Sequence, residues 1–203
     1  MIDNSIEYKS IVMLLDGKTA QQTTEPTLPD GFSFRLFENE ADIAHWCRIE
    51  ASVNEFDSED QARTHFEKEF GAQLAELQRR CIFIVNQDGL PVATAMGWFS
   101  GGAIKNRLHW IAVSPQYQGL GLGKAVSQMA VTVCAKFSPG QTIWLSTQTW
   151  SHRAVVMYGK LGFRMIKNDM GIEMKYSYIG DFDKAVEILR AVLGEGVPLP
   201  IYS

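Results

Sequence analysis

Residues 107–137 read RLHWIAVSPQYQGLGLGKAVSQMAVTVCAKF, and no other stretch constrains the fold as tightly. Leu108–Val113 is short, apolar and rich in β-formers, which predicts a strand. Pro115 has no N–H to give to a ladder, so the strand stops there. Gly119, Gly121 and Gly123 follow at alternate positions. From Lys124 to Phe137, the residues Val126, Met129, Ala130, Val133, Cys134 and Phe137 recur at helical spacing on one face. That pattern predicts an amphipathic helix beginning near Gly121.

The turn carries the chemistry. Glycines permit unusual backbone angles and leave no Cβ in the way of a ligand. A helix start offers free N–H groups and the positive end of a dipole, which together suit phosphate oxygens. A tight corner also needs small residues, but three alternating glycines beside Gln118 and Lys124 favour the anion site. Two common phosphate patterns fail. A Walker A loop, G-x-x-x-x-G-K-[ST], would have Gln118 at its first glycine and Ala125 at its Ser/Thr. The dinucleotide fingerprint G-x-G-x-x-G, started at Gly119, would end on Lys124.

The remaining chain reads as a mixed α/β fold. Ile11–Leu15 is an apolar run that suits either a strand or a helix, and the polar segment after it, with Thr23, Thr24, Pro26 and Pro29, reads as a linker. Strands are expected at Phe32–Phe37, Cys81–Val85, Pro91–Phe99, Thr142–Thr147, Phe163–Lys167 and Ile172–Tyr178, with Asn86–Gly89 as a hairpin turn. Asn39 caps a predicted helix carrying Trp46, Ile49, Val53 and Phe56. Ser58 and Gln61 have capping-box spacing for a second helix, with Ala62, Phe66, Phe70, Leu74 and Leu77 inward. Ser151 is placed to cap a short helix stopped by Gly162, and Val186, Leu189 and Leu193 mark a last amphipathic helix closed by Gly194. The order predicts a mixed, mostly antiparallel sheet flanked by helices. Residues 31–178 are expected as the main domain, 1–30 as an extension or linker, and 179–203 as a C-terminal helix and tail.

Two segments resemble the GNAT superfamily of N-acetyltransferases. Val113-Ser-Pro115-Gln-Tyr-Gln118-Gly-Leu-Gly121-Leu-Gly123 is similar to its acetyl-CoA-binding motif V-x-P-x-x-[QR]-x-x-G-x-[GA]. Ala154-Val-Val-Met-Tyr158-Gly-Lys-Leu161-Gly162-Phe163 is similar to its A-x-x-x-Y-x-x-x-G-F segment. The resemblance spans residues 32–178 and implies a GNAT-like acyl-CoA N-acyltransferase fold. It implies that backbone groups of Gln118, Gly119, Leu120, Gly121, Leu122, Gly123 and Lys124 hold the coenzyme A pyrophosphate. It also implies that Ile111, Ala112 and Val113 pair with the pantetheine arm as an extra strand would. The family often has an asparagine seven residues before the tyrosine; here Ser151 stands there, which puts that cofactor contact in question.

Acetyl transfer to an amine needs a deprotonated amine, a polarised carbonyl and a thiolate that can leave. By resemblance, Tyr158 protonates that thiolate; the alternative is an aromatic core residue beside Met157 and Leu161. His109 is the base candidate, because imidazole titrates near neutrality. Its segment Leu108-His109-Trp-Ile-Ala-Val113 is similar to the L-H-A-L-A-V of arylalkylamine N-acetyltransferases, where this histidine serves in proton removal. The alternative is a half-buried histidine filling a strand face. Glu50, Glu55 and Asp57 suit either an ammonium site or a solvated helix face, and Trp46, Phe56, Trp98 and Phe99 suit either a pocket wall or the core. His45, His65 and His152 have no metal-like spacing, so no metal is expected.

Composition sets the outer limits. Of 203 residues, 46% are apolar and 21% charged, enough to bury a real core. A net charge of −4 argues against a general electrostatic grip on nucleic acid or acidic lipid. Cys47, Cys81 and Cys134 are an odd number without ligand spacing, which suits reduced thiols in the cytoplasm. No leader-like segment and no apolar run of the ~18 residues a membrane span needs is seen. The expectation is therefore an acetyl-CoA-dependent enzyme that acetylates a primary amine of a small molecule by direct attack, since neither motif holds a cysteine. The alternative is a GNAT-like module that binds acyl-CoA without transferring it. A homodimer through the C-terminal helix is possible on sequence grounds.

Overall fold

The computed structural model describes residues 3–167 and 181–202. In chain order the elements are β1 (Ser10–Leu15), α1 (Gly17–Gln22), β2 (Ser33–Leu36), α2 (Ala41–Ser52), α3 (Glu59–Phe70), α4 (Leu74–Arg80), β3 (Cys81–Val85), β4 (Pro91–Phe99), β5 (Asn106–Val113), α5 (Leu122–Phe137), β6 (Ile143–Gln148), α6 (His152–Lys160), β7 (Arg164–Met165) and α7 (Phe182–Leu193). The strand expected at Ile172–Tyr178 lies outside the described residues. Two compact units divide the chain, one formed by Thr24–Trp98 with Leu108–Cys134, the other by the remainder.

In the unit that contains the N-terminus, β1 is a strand buried along its whole length. It pairs antiparallel with β6, from Ser10 opposite Gln148 to Leu15 opposite Ile143, and antiparallel with β7 through Met13 and Met165. A strand flanked on both edges and covered on both faces explains why Ile11–Leu15 is apolar without alternation. The first two residues of β5 pair in parallel with β6 at Ile143 and Trp144. The segment expected as a linker starts instead with α1, because the Asp16 carboxylate accepts from the N–H groups of Lys18 and Thr19, each at 3.1 Å. Helix α7 buries Ala185 and Leu189 and packs on β1 and α6, so its apolar face is used within the chain. The tail returns to the sheet, with Tyr202 N–H donating to Met165 O at 2.8 Å.

In the other unit, β2 and β4 flank β3 antiparallel, and β5 lies beside β4. The hairpin between β3 and β4 forms as expected, with Asn86 Oδ1 accepting from the N–H groups of Asp88 and Leu90. Helices α2 and α3 close over a cluster containing Phe37, Trp46, Phe66, Phe70, Phe83 and Trp98. Asn39 Oδ1 accepts from Ala41 N–H at 2.9 Å, but the cap of α2 is Glu40, whose side chain makes no capping bond; Ser58 Oγ accepts from Gln61 N–H at 3.2 Å, so the start of α3 follows the sequence. The second helix does not run on to Leu77. It ends at Phe70 with Gly71 as its cap, a separate α4 begins at Leu74, and Leu74 is exposed. Helix α5 rests on β4 at Gly97, where a Cβ would lie 2.7 Å from Ala130 O. That close approach lets α5 lie tight against β4.

Candidate active site

The turn after β5 leaves its backbone open. Pro115–Tyr117 makes one tight helical turn, and Gln118 folds back so that Nε2–H donates to Val113 O at 2.9 Å. Gly119 and Gly121 have φ of 83° and 82°, a region that L side chains rarely adopt, and a Cβ on either would meet nothing within 4 Å. Backbone conformation, not crowding, therefore requires these glycines, and the space above them is open. The first backbone bond of α5 is Ala125 N–H to Gly121 O, at 3.1 Å. The N–H groups of Leu122, Gly123 and Lys124 thus precede the intrahelical ladder. The buried Leu122 anchors the helix start, while Leu120 and Lys124 are exposed. A cavity of about 520 Å³ opens beside the turn, lined by Thr27, Leu28, Leu120, Gly121, Lys124 and Gln128 among others. Gln128 Nε2–H ties this wall together by donating to Thr24 O at 2.8 Å. Free N–H groups, a helix N-terminus, open glycines and a lysine are the donor set a pyrophosphate needs, so these residues fit coenzyme A.

Upstream on β5, Ala112 is buried in the core while Ile111 and Val113 are half-buried. Trp110 has φ of 49°, in the left-handed region. For a bulky residue that conformation costs on the order of 1–3 kcal/mol and persists only where neighbours over-determine it. The neighbours are found on α3. The Glu69 carboxylate accepts from Trp110 Nε1–H at 3.1 Å. His109 Nε2 lies 2.7 Å from Oε1, and His65 Nε2 lies 2.8 Å from Oε2. Burial pushes the Glu69 carboxyl up, but the facing His109, His65 and Trp110 groups outweigh it and hold it at about 2. His109 is 8% exposed and stands 6.1 Å, ring to ring, from Phe70.

Glu69 is the residue that sequence reading missed. It is one of several acidic residues on a polar helix, and only the packing of α3 on β5 brings it to His109, 40 positions away. The one local signal was His65, at i−4 on the same helix face. Two histidines and a glutamate can be a metal set. Here the imidazole nitrogens are directed at the carboxylate oxygens, and among the described residues no group of three or more His, Cys, Asp or Glu is placed to hold a metal ion.

Glu50 lies one turn after Trp46 on α2, and each is at most 1% exposed. Glu50 Oε1 and Trp46 Nε1 find no hydrogen-bond partner among the described residues. Burial, helped by Glu55, pushes the Glu50 carboxyl well above the usual carboxylate range. Trp46, Phe56 and Trp98 belong to the aromatic core, with Trp46 and Phe56 each 5.3 Å from Trp110, ring to ring, whereas Phe99 is exposed and belongs to the other unit. Glu55 and Asp57 are exposed.

Tyr158 and Ser151 also lie in the other unit. Tyr158 is buried on α6, with its ring 6.1 Å from Phe163 and its carbonyl accepting from Phe163 N–H at 3.0 Å. Ser151 does not cap α6 with its side chain; its Oγ accepts from Gln148 Nε2–H at 3.3 Å instead. Burial lowers His45 and His152 below the usual imidazole range, in each case helped by a neighbouring arginine.

The family model for the GNAT acetyltransferases matches residues 42–163. A search of curated proteins finds no match. Among solved structures, a GCN5-related N-acetyltransferase from Sphaerobacter thermophilus is 19% identical with a TM-score of 0.61, over 79% of this chain and 49% of that one. A GNAT-family acetyltransferase from Colwellia psychrerythraea is 13% identical with a TM-score of 0.57, over 78% and 54%. A tandem GNAT protein from the clavulanic acid biosynthesis pathway is 13% identical with a TM-score of 0.57, over 80% and 51%. At such identities the likeness is one of fold. The chain spans about half the length of each of these structures.

Proposed function

The chain belongs to the GNAT acetyltransferase family, and from that premise we propose that it moves acetyl from acetyl-CoA to the primary amine of a small molecule by direct attack. The observation that carries this reading is the open glycine turn at the head of α5, on the same strand-turn-helix unit as His109. Acetyl-CoA supplies a carbonyl activated by a thiol leaving group. The N–H groups from Gln118 to Lys124 bind its pyrophosphate, and the backbone of Ile111, Ala112 and Val113 aligns its arm. Ser151 offers a hydroxyl where the family often has an amide. His109 takes a proton from the amine, and Tyr158 gives one to the departing sulfur. The two residues then reset through solvent.

The acceptor site is read on the α2–α3 side, where Glu50, Glu55 and Asp57 lie and where Glu50 Oε1 and Trp46 Nε1 have no partner among the described residues. The indole rings beside it favour an amine that carries positive charge. The net charge of −4 fits a cationic small molecule and neither nucleic acid nor a membrane surface. Three buried free thiols fit a cytoplasmic protein.

The test is thermal stability with acetyl-CoA, CoA, ATP and NAD in separate samples, followed by an amine panel scored by thiol release. Acetyl-CoA at 100 times its dissociation constant stabilises the fold by about 2.7 kcal/mol. Stabilisation by ATP or NAD, or by none of the four, overturns the reading. Stabilisation by acetyl-CoA without thiol release from any amine favours a binding module.

A further inference from the structure

We propose that the cavity between the C-terminal tail and α6 is a binding site for a small carboxylic acid with an apolar body. The site lies wholly within the unit that holds α6 and the tail, and it does not depend on the acetyltransferase reading.

Val156, Gly159 and Lys160 recur at i, i+3 and i+4, so they share one face of α6. Gly159 has no side chain, and Pro200 takes the space: a Cβ there would lie 2.7 Å from Pro200 Cβ. The tail therefore crosses the helix at that point. It is pinned to β7 there, with Met165 N–H donating to Pro200 O and Tyr202 N–H to Met165 O. At its other end, Val197 N–H donates to Gly194 O at 3.2 Å, which turns the chain just after α7. Between these two fixed points a cavity of about 550 Å³ remains, within the ~300–1,000 Å³ of small-molecule sites. Pro198 and Pro200 lie in its wall. Their rings fix φ and they carry no N–H, so the wall is stiff and offers no donor at those two positions.

Val156, Val197, Leu199 and Ile201 give the cavity an apolar surface, and its charged lining residues are Lys160 and Arg164. Arg164 Nη1–H donates to Gly159 O at 3.1 Å and to Phe163 O at 3.0 Å, which places the guanidinium at the C-terminal end of α6. Lys160 belongs to the last turn of the same helix. The helix dipole and the two carbonyls answer part of this positive charge. They leave Arg164 Nε and Nη2, and the whole Lys160 ammonium, without a partner among the described residues. No Asp or Glu is in the lining. In a chain of net charge −4, two cations beside an apolar cavity are complementary to an anion. A carboxylate matches the planar fork of Arg164, and an apolar body covers the valine, leucine and proline surface. Neither an inorganic anion nor a neutral hydrocarbon would use both parts.

The probe is octanoate, titrated below its micellar range into the full chain and followed by calorimetry and 1H–15N spectra. Saturable binding is expected, with amide shifts concentrated at Val156, Gly159, Val197 and Leu199. 1-Octanol, which lacks the charge, should bind about tenfold more weakly, and octylammonium should not bind. Lys160→Met keeps the aliphatic stem and removes the charge. It should weaken octanoate about tenfold and leave 1-octanol as it was, a difference that a damaged fold would not produce. Val156→Trp fills the cavity and should abolish binding of both. Absence of saturable octanoate binding, equal affinity for octanoate and 1-octanol, or shifts that fall away from the cavity would overturn the proposal. Octyl phosphate binding more tightly than octanoate overturns the carboxylate class. Release of octanoate by acetyl-CoA puts the probe at the glycine turn and overturns the site.

Discussion

Replacing Glu50 should make the protein more stable, and more so as the pH rises. The side chain is 1% exposed, its Oε1 has no partner among the described residues, and its carboxyl sits well above the usual range because burial disfavours the charge. In the unfolded chain the group ionises near ~4.3. The folded form keeps its proton to higher pH, so the folded state binds more protons between those two values. Stability conferred by this group is therefore fully present below the unfolded value and is lost progressively as the pH rises toward the folded value. Glu50→Gln abolishes that titration and should flatten the fall in stability between pH 5 and 8. Glu50→Leu also removes the orphaned oxygen, whose burial costs about 1–3 kcal/mol. For a chain of this size each kcal/mol moves the midpoint by roughly 2–4 °C. Urea unfolding of the three proteins at pH 5, 6.5 and 8 measures both effects. If the slope against pH is the same with and without the carboxyl, the burial argument is wrong. The gain in stability should come with weaker acceptor binding, the usual exchange where a strained group serves a site.

Three further outcomes follow from the geometry. Gly121→Ala places a Cβ in the left-handed region without touching any neighbour, so it should cost about 1–2 kcal/mol of stability and weaken acetyl-CoA binding, read by calorimetry. Tyr158→Phe should lower kcat far more than acetyl-CoA affinity, and equal losses in both would remove its role as acid. The Glu69 carboxyl is held at about 2 against an ordinary 4.5, so its contribution is present above the unfolded value and lost as pH falls from about 4.5 toward 2. Acid unfolding of Glu69→Gln should therefore be shallower over that window than that of the unmodified protein, by an amount on the order of 3 kcal/mol.

Much of this was legible along the chain. Cys81–Val85 and Pro91–Phe99 have the observed boundaries because Asn86–Gly89 and Pro91 punctuate them with local turn chemistry. The glycine turn and α5 were legible for the same reason. What escaped has tertiary causes. A six-residue α1 held by one aspartate carries too little periodicity to stand out from a linker. Ser151 has the right identity for a cap, but Gln148 takes its hydroxyl. Leu74 continues a helical stripe on paper, yet the chain breaks at Gly71 and restarts as a separate helix at Leu74. The left-handed Trp110 has no local signature at all, since nothing in a tryptophan asks for that angle. Glu69 could be singled out from its acidic neighbours only once β5 was beside it.

Trp110 also gives the site an optical voltmeter of its own. Its indole N–H rests on an ionised carboxylate, and its ring centre lies 5.0 Å from that of His65 and 5.1 Å from that of His109. An imidazolium drains the excited state of an indole at such range, whereas a neutral imidazole does so far less. The emission of Trp110 therefore dims as either histidine gains charge, and subtracting the spectrum of a Trp110→Phe variant from that of the unmodified protein separates it from the other four tryptophans.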